Sequence, residues 1–166
     1  MALEIERRFL VKGNEWRNIS CNAQYLRQGY LTTSIKNWTV RIRIEEEEKA
    51  WLTLKFPAQR ISRHEFEYLI PVKDAQEIWK KTPHKIFKTR YQLNLEEGDW
   101  IIDCFEGNNS PLVIAEVELI SAGQEVKVPH WCLHEITHNN QLTNAALAQK
   151  PISHWSREDL MKISIN

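Results

Sequence analysis

No disulfide framework can be read from this sequence. Its 166 residues hold only three cysteines, Cys21, Cys104 and Cys132. The number is odd and the spacing wide, which also excludes a zinc ribbon. Net charge is absent as well, since 22 acids balance 22 bases. That balance argues against a general nucleic-acid binder with a basic surface. With 42% hydrophobic and 27% charged residues, nothing suggests a membrane span or a disordered tract. A signal-peptide pattern is missing too, because Met1 leads straight into a charged stretch. These absences set the expectation of one domain over residues 1–166, in a reduced, cytoplasmic compartment. Neither nucleic acid nor membrane is expected as a partner, and the chain is expected as a monomer or homodimer.

What the chain does have is charge in step with strand periodicity. In Glu4-Ile-Glu-Arg-Arg8, Glu4, Glu6 and Arg8 point one way, while Ile5, Phe9 and Val11 point the other. The two carboxylates stand about 7 Å apart along the strand, a spacing that suits oxygen ligands converging on a hard cation. A solvated edge strand with chance charges would look the same.

Further strands are predicted over residues 24–34, 38–46, 51–56, 62–70, 86–95, 100–106 and 112–120. Gly29 marks a bulge, Asn37 a turn, and residues 46–49 a hairpin tip. Helices are predicted over 74–81, 121–127, 144–149 and 156–163. About eight strands, several joined by tight turns, point to a mainly β (α+β) fold: a closed antiparallel barrel with a few peripheral helices.

Seven acids (Glu4, Glu6, Glu65, Glu67, Asp103, Glu116, Glu118) and seven bases (Arg8, Arg41, Arg43, Lys55, Arg63, Lys88, Arg90) alternate with apolar runs. If the apolar faces pack outward, the charges line the interior, where desolvating each ion costs several kcal/mol unless a ligand completes the pairing. The reverse arrangement, with charges in water, costs nothing. Periodicity alone does not choose between them.

The order of these segments resembles the CYTH superfamily, the triphosphate tunnel metalloenzymes, and its bacterial inorganic triphosphatases in particular. Glu4-Ile-Glu-Arg-Arg8 is similar to the family signature E-x-E-x-K. The likeness continues through Leu26-Arg-Gln-Gly-Tyr-Leu-Thr-Thr33, Val40-Arg-Ile-Arg43, Leu52-Thr-Leu-Lys55, Ser62-Arg-His-Glu-Phe-Glu67, Lys88-Thr-Arg-Tyr91, Asp103 and Ala115-Glu-Val-Glu118. The resemblance implies an eight-stranded antiparallel barrel forming a hydrophilic tunnel, a triphosphate substrate, and Mg2+ or Mn2+. It further implies Glu4, Glu6, Asp103, Glu116 and Glu118 as metal ligands. Arg8, Arg41, Arg43, Lys55, Arg63, Lys88 and Arg90 become phosphate ligands, with Arg8, Tyr30 and Lys88 closest to the chemistry. Inorganic triphosphate is the simplest substrate. Class IV adenylyl cyclase activity, thiamine triphosphate hydrolysis, and a catalytically weakened polyphosphate- or nucleotide-binding module are the alternatives.

Two departures stand out. The third signature residue is Arg8, which cannot share a proton at neutral pH as a lysine can. The stretch Asn139-Asn-Gln-Leu-Thr-Asn144 is uncharged where the family often carries a basic segment resembling D-K-R-Y-x-N. Within the same region His134-Glu-Ile-Thr-His138 matches H-E-x-x-H. No long amphipathic helix surrounds it and no third ligand follows, so it is read as an ordinary surface segment.

Overall fold

The barrel closes on β1 (Ala2–Val11). Its first residues pair antiparallel with β5 (Ser62–Ile70), with Glu4 facing Arg63, while Glu6 to Leu10 pair on the other edge with β8 (Val113–Glu118). Between these neighbours the circuit runs through β4 (Lys49–Pro57), β3 (Thr39–Glu45), β2 (Ser20–Thr33), β6 (His84–Leu93) and β7 (Asp99–Phe105). Every pairing round the circuit is antiparallel, so eight strands make the closed barrel that the sequence predicts. A short ninth strand, β9 (Cys132–Glu135), lies against the end of β1 that β5 does not reach. The computed structural model describes residues 2–33, 38–58 and 61–163; the turn expected at Asn37 lies outside them.

Register decides which face turns inward, because residues directly opposed across a sheet share a face. Arg8–Glu116, Arg90–Asp103, Tyr30–Arg41, Arg41–Thr53 and Lys55–Glu65 are such pairs. They follow one another round the interior. The outward faces are apolar and largely covered. Ile5, Phe9, Ile102, Ala115 and Val117 pack beneath Trp16 and Trp131, and α1 (Val72–Lys81) lays Ala75 on Ile44 and Ala50. The charges are therefore inside.

At one end the inward positions turn apolar. Leu10, Tyr30, Ile86, Phe105 and Ile114 form one buried cluster with Leu142, Leu147, Ala148, Ile152 and Ile163. The C-terminal segment, with α2 (Asn144–Gln149) and α3 (Arg157–Lys162), thus fills that end of the barrel. Small barrels are filled this way by side chains. Local capping fixes the segment: Asn139 Oδ1 accepts from the Gln141 amide, Thr143 Oγ1 from Ala146, and Ser156 Oγ from Asp159.

Two local expectations need correction. Residues 121–127 form turns and extended chain, not a helix. Gln124 closes the turn by accepting the Ile120 amide on its side chain at 2.7 Å, and Gly123 is a poor helix former. The register of β2 shifts between Tyr30 and Thr32 against β3, and between Cys21 and Ala23 against β6, not at Gly29. Gly29 serves packing instead. A Cβ there would stand 3.0 Å from Thr82 Cγ2 and 3.2 Å from both Ile42 Cγ1 and Trp79 Cε3, where α1 ends against the barrel.

Candidate active site

Inside the barrel a cavity of about 400 Å³ separates two kinds of wall. Adjacent strands β1 and β8 contribute Glu4, Glu6, Glu116 and Glu118; β5, on the other edge of β1, contributes Arg63, and β4, β3 and β6, farther round the circuit, contribute Lys55, Arg41, Arg43 and Arg90. The register puts Glu6 directly opposite Glu118 and Arg8 opposite Glu116. Strand alternation brings the charges inward. The antiparallel circuit then gathers them from six strands at one level.

Within the described residues most of these charges are paired. Lys55 Nζ donates to Glu4 Oε1 and Oε2 at 2.9 and 2.7 Å and lies 3.2 Å from Glu65 Oε2. Arg41 Nη2 donates to Thr53 Oγ1 at 3.1 Å and to Glu67 Oε1 at 3.3 Å, and Thr53 donates on to Glu67 at 2.8 Å. Arg43 Nη2 reaches the other Glu67 oxygen at 3.3 Å. Arg43 Nε lies 2.9 Å from Glu45 Oε1, which leaves two donors over: the Arg41 Nε and the Gln28 Nε2 are buried without a hydrogen-bond partner. Leaving buried donors unmade costs about 1–3 kcal/mol each. Arg63 lines the cavity and has no ion pair among the described residues.

Lys55 cannot serve two carboxylates equally. Burial alone would raise Glu4, but the Lys55 ammonium and its two bonds bring that carboxyl down to about 2. Glu65 goes the other way, pushed up to about 7 by burial and by Glu4, with Lys55 and Arg41 opposing. Glu6 is raised by burial, then by Glu116 and Glu4, and Glu118 by burial, then by Glu4 and Asp99. Glu6 and Glu118, directly opposed on adjoining strands and both raised, are with Glu4 and Glu116 a fit donor set for a hard divalent cation. Among the described residues no three such groups converge at ligating distance as they stand, because Glu4 is turned to Lys55. Holding an ion requires those side chains to rotate.

The comparisons with known proteins agree with this architecture. Residues 2–148 match the CYTH domain. The chain belongs to the CYTH family. It is 37% identical over 157 residues to an inorganic triphosphatase of Acetivibrio thermocellus, an alignment covering 93% of this chain and 99% of that protein. An inorganic triphosphatase of Nitrosomonas europaea is 37% identical over 149 residues, 87% of this chain and 96% of that one. The crystal structure of an inorganic triphosphatase superposes with a TM-score of 0.62 at 34% identity, covering 89% of this chain and 95% of the other. No helix among the described residues is long and apolar enough to cross a membrane.

Of the site residues expected from the CYTH signature, all but Lys88 and Asp103 line the cavity. Lys88 and Asp103 are fully buried behind it: Asp103 accepts from Arg90 Nε and Nη2, each at 2.8 Å, and from Lys88 Nζ. Burial would raise Asp103, but Arg90 and Lys88 hold it well below the usual carboxylate range. Burial pulls Lys88 down to about 8, with Asp103 opposing. Arg8 lines the cavity with its guanidinium turned to main-chain carbonyls. Tyr30 is buried, held above its ordinary value by that burial, and its hydroxyl donates to Gln28 Oε1 at 3.1 Å. Sequence reasoning passed over Gln28, Thr53, Asn140, Thr143 and Asn144, which are uncharged. Alternation with Lys55 was a signal for Thr53, and the shared period with Tyr30 was one for Gln28.

Proposed function

We propose that this protein hydrolyses inorganic triphosphate, cleaving a phosphoric anhydride bond inside the charged barrel. The observation that carries the reading is the set of cations around one small cavity: Arg41, Arg43, Lys55, Arg63 and Arg90, with the Arg41 Nε donor buried and unmade and Arg63 in no ion pair among the described residues. Phosphoryl transfer is catalysed mainly by positioning and charge stabilisation. Arginine forks meet phosphate oxygens through two donors, and lysine adds a point charge. Arg41, Arg43, Lys55, Arg63 and Arg90 bind the phosphate chain; Glu65 and Glu67, which hold several of these cations in the free protein, give way to it.

Glu4, Glu6, Glu116 and Glu118 would hold Mg2+ or Mn2+. A bound divalent ion supplies charge neutralisation at the phosphate oxygens and polarises the attacking water. Asp103 and Lys88 act from behind the wall: Asp103 fixes the Arg90 guanidinium through its bidentate contact, and Lys88 balances Asp103. Tyr30 donates its hydroxyl hydrogen bond to Gln28 Oε1, which leaves its oxygen free to accept beside Arg41. With three free cysteines and no disulfide, a reducing cytoplasm suits the chain.

The test is phosphate release from inorganic triphosphate, ATP, thiamine triphosphate and pyrophosphate, each with Mg2+ and Mn2+. Inorganic triphosphate is expected to give the highest kcat/KM. Cyclic AMP from ATP would favour cyclase chemistry, and tight triphosphate binding without turnover would reduce the protein to a binding module.

A further inference from the structure

We infer that Arg8 is a positioning residue that latches the C-terminal segment onto β1, and so builds the wall of the cavity formed by Asn140, Thr143 and Asn144. The latch stands on contacts alone; only the use made of that wall rests on the triphosphate reading. Arg8 is 3% exposed. Its Nη1 donates to the Leu142 carbonyl at 2.9 Å, and its Nη2 is shared between the carbonyls of Thr137 at 3.3 Å and Ile136 at 3.4 Å. Nε faces Glu6 Oε1 at 3.7 Å. The main chain of Arg8 reinforces this, its amide donating to Thr137 Oγ1 at 3.1 Å and its carbonyl accepting from the Ile136 amide at 2.7 Å.

These contacts separate Arg8 from the other cavity cations. Arg41, Arg43 and Lys55 are held by carboxylate side chains that can turn away, whereas Arg8 is held by main-chain carbonyls, which move only with the segment that carries them. Three carbonyls spread over residues 136–142 suit a planar fork with several donors, and an ammonium presents its donors from a single atom. The segment 139–144 carries no charge, so the buried guanidinium meets carbonyl dipoles there and no competing cation. Asn140, Thr143 and Asn144 follow directly from the latched stretch into the cavity wall. The neutral amide donors of Asn140 and Asn144 reach a bound phosphate chain only while the stretch stays seated.

Arg8→Lys, which keeps the charge, is the decisive variant, and hydrogen exchange of ligand-free protein is the first measurement. Amides of residues 136–145 are expected to exchange at least tenfold faster than in wild type, with β6 and β7 unchanged. The KM for inorganic triphosphate is expected to rise at least fivefold with kcat changed less than threefold, and Arg8→Gln should behave like Arg8→Lys. Unchanged exchange over 136–145 in Arg8→Lys overturns the latch, as does a lysine variant that keeps wild-type KM while Arg8→Gln loses it. A wild type that releases no phosphate defeats the triphosphate reading, and the exchange result then judges the latch by itself. Should Arg8→Lys fail to fold, the Arg8 side-chain resonances of wild type decide. Slow guanidinium rotation before any triphosphate is added supports the latch; free rotation overturns it.

Discussion

The two ends of this barrel interior use the same inward strand positions and do opposite things. Along β1 the inward residues run Glu4, Glu6, Arg8, Leu10; along β8 Glu118, Glu116, Ile114; along β6 Arg90, Lys88, Ile86. Each strand passes from charge to apolar side chain within one face. At the apolar end the side chains meet the C-terminal segment and leave no space. At the charged end they surround a cavity and leave buried donors unmade. Arg8, Lys88 and Asp103 lie on the boundary, each satisfied by protein partners. At this boundary the buried charges find their partners within the protein, while the charged end still holds a buried donor unmade.

The sharpest way to break that distinction is to remove the carboxylates at the charged end. Glu116→Gln with Glu118→Gln leaves hydrogen-bonding capacity but takes away two negative oxygen donors. Turnover that depends on Mg2+ is expected to fall by about 100-fold or more, since metal assistance is worth several kcal/mol and each 1.36 kcal/mol is tenfold. The fold, read by circular dichroism, should be intact. Undiminished phosphate release at the same Mg2+ concentration would remove these residues from the site.

A paired substitution then contrasts the two ends directly. Phe105→Ala empties a ring from the apolar end, where Lys88 Nζ also lies 5.5 Å over its face. Unfolding stability should drop by about 3–5 kcal/mol in denaturant titration. Arg41→Ala at the charged end should weaken triphosphate binding by about 1.5–3 kcal/mol, the range for a charged hydrogen bond. Its effect on ligand-free stability should be smaller than that of Phe105→Ala, because the lost bonds to Thr53 and Glu67 are offset in part by removing an unmade buried donor and a like-charge neighbour. If Arg41→Ala destabilises as much as Phe105→Ala with binding unaffected, the two ends do not differ as their contacts indicate.

The barrel was legible because the period of two is written into β1, β3, β4, β5 and β8. The inward direction of the charges followed only from the resemblance to the CYTH family, since alternation allows either face. What periodicity could not show is where along a strand the interior changes character. Ile86 and Lys88 obey the same alternation, and only the arrival of Leu142 and Leu147 from distant sequence makes one end apolar. The same limit applies to Asp103. Its type and place suit a metal ligand, and only the register against Arg90 and the burial of Lys88 reveal that its oxygens are already engaged. Arg8 was visible as an oddity, but its partners are main-chain carbonyls, which carry no signature in sequence.

The smallest expected effect lies outside the barrel, at the H-E-x-x-H match. A zinc site of that pattern needs a helix to bring both histidines to one face, whereas His134 and Glu135 stand on β9 and point to opposite sides. Glu135 is occupied: Arg7 donates to its two oxygens from Nε at 3.0 Å and Nη2 at 2.7 Å, and Thr137 Oγ1 adds a bond at 2.7 Å. The hydrogen bond to Arg7, then that to Thr137, hold its carboxyl below the usual range, against burial. His134 is exposed, so His134→Ala should change unfolding stability by less than about 0.5 kcal/mol, as surface substitutions usually do. Phosphate release should be unaltered, and elemental analysis of purified protein should find no stoichiometric zinc. One zinc per chain, lost on His134→Ala, would mean that β9 gives up its pairing with Phe9 and Val11 to ligate metal, and that the exterior of this barrel carries a second site.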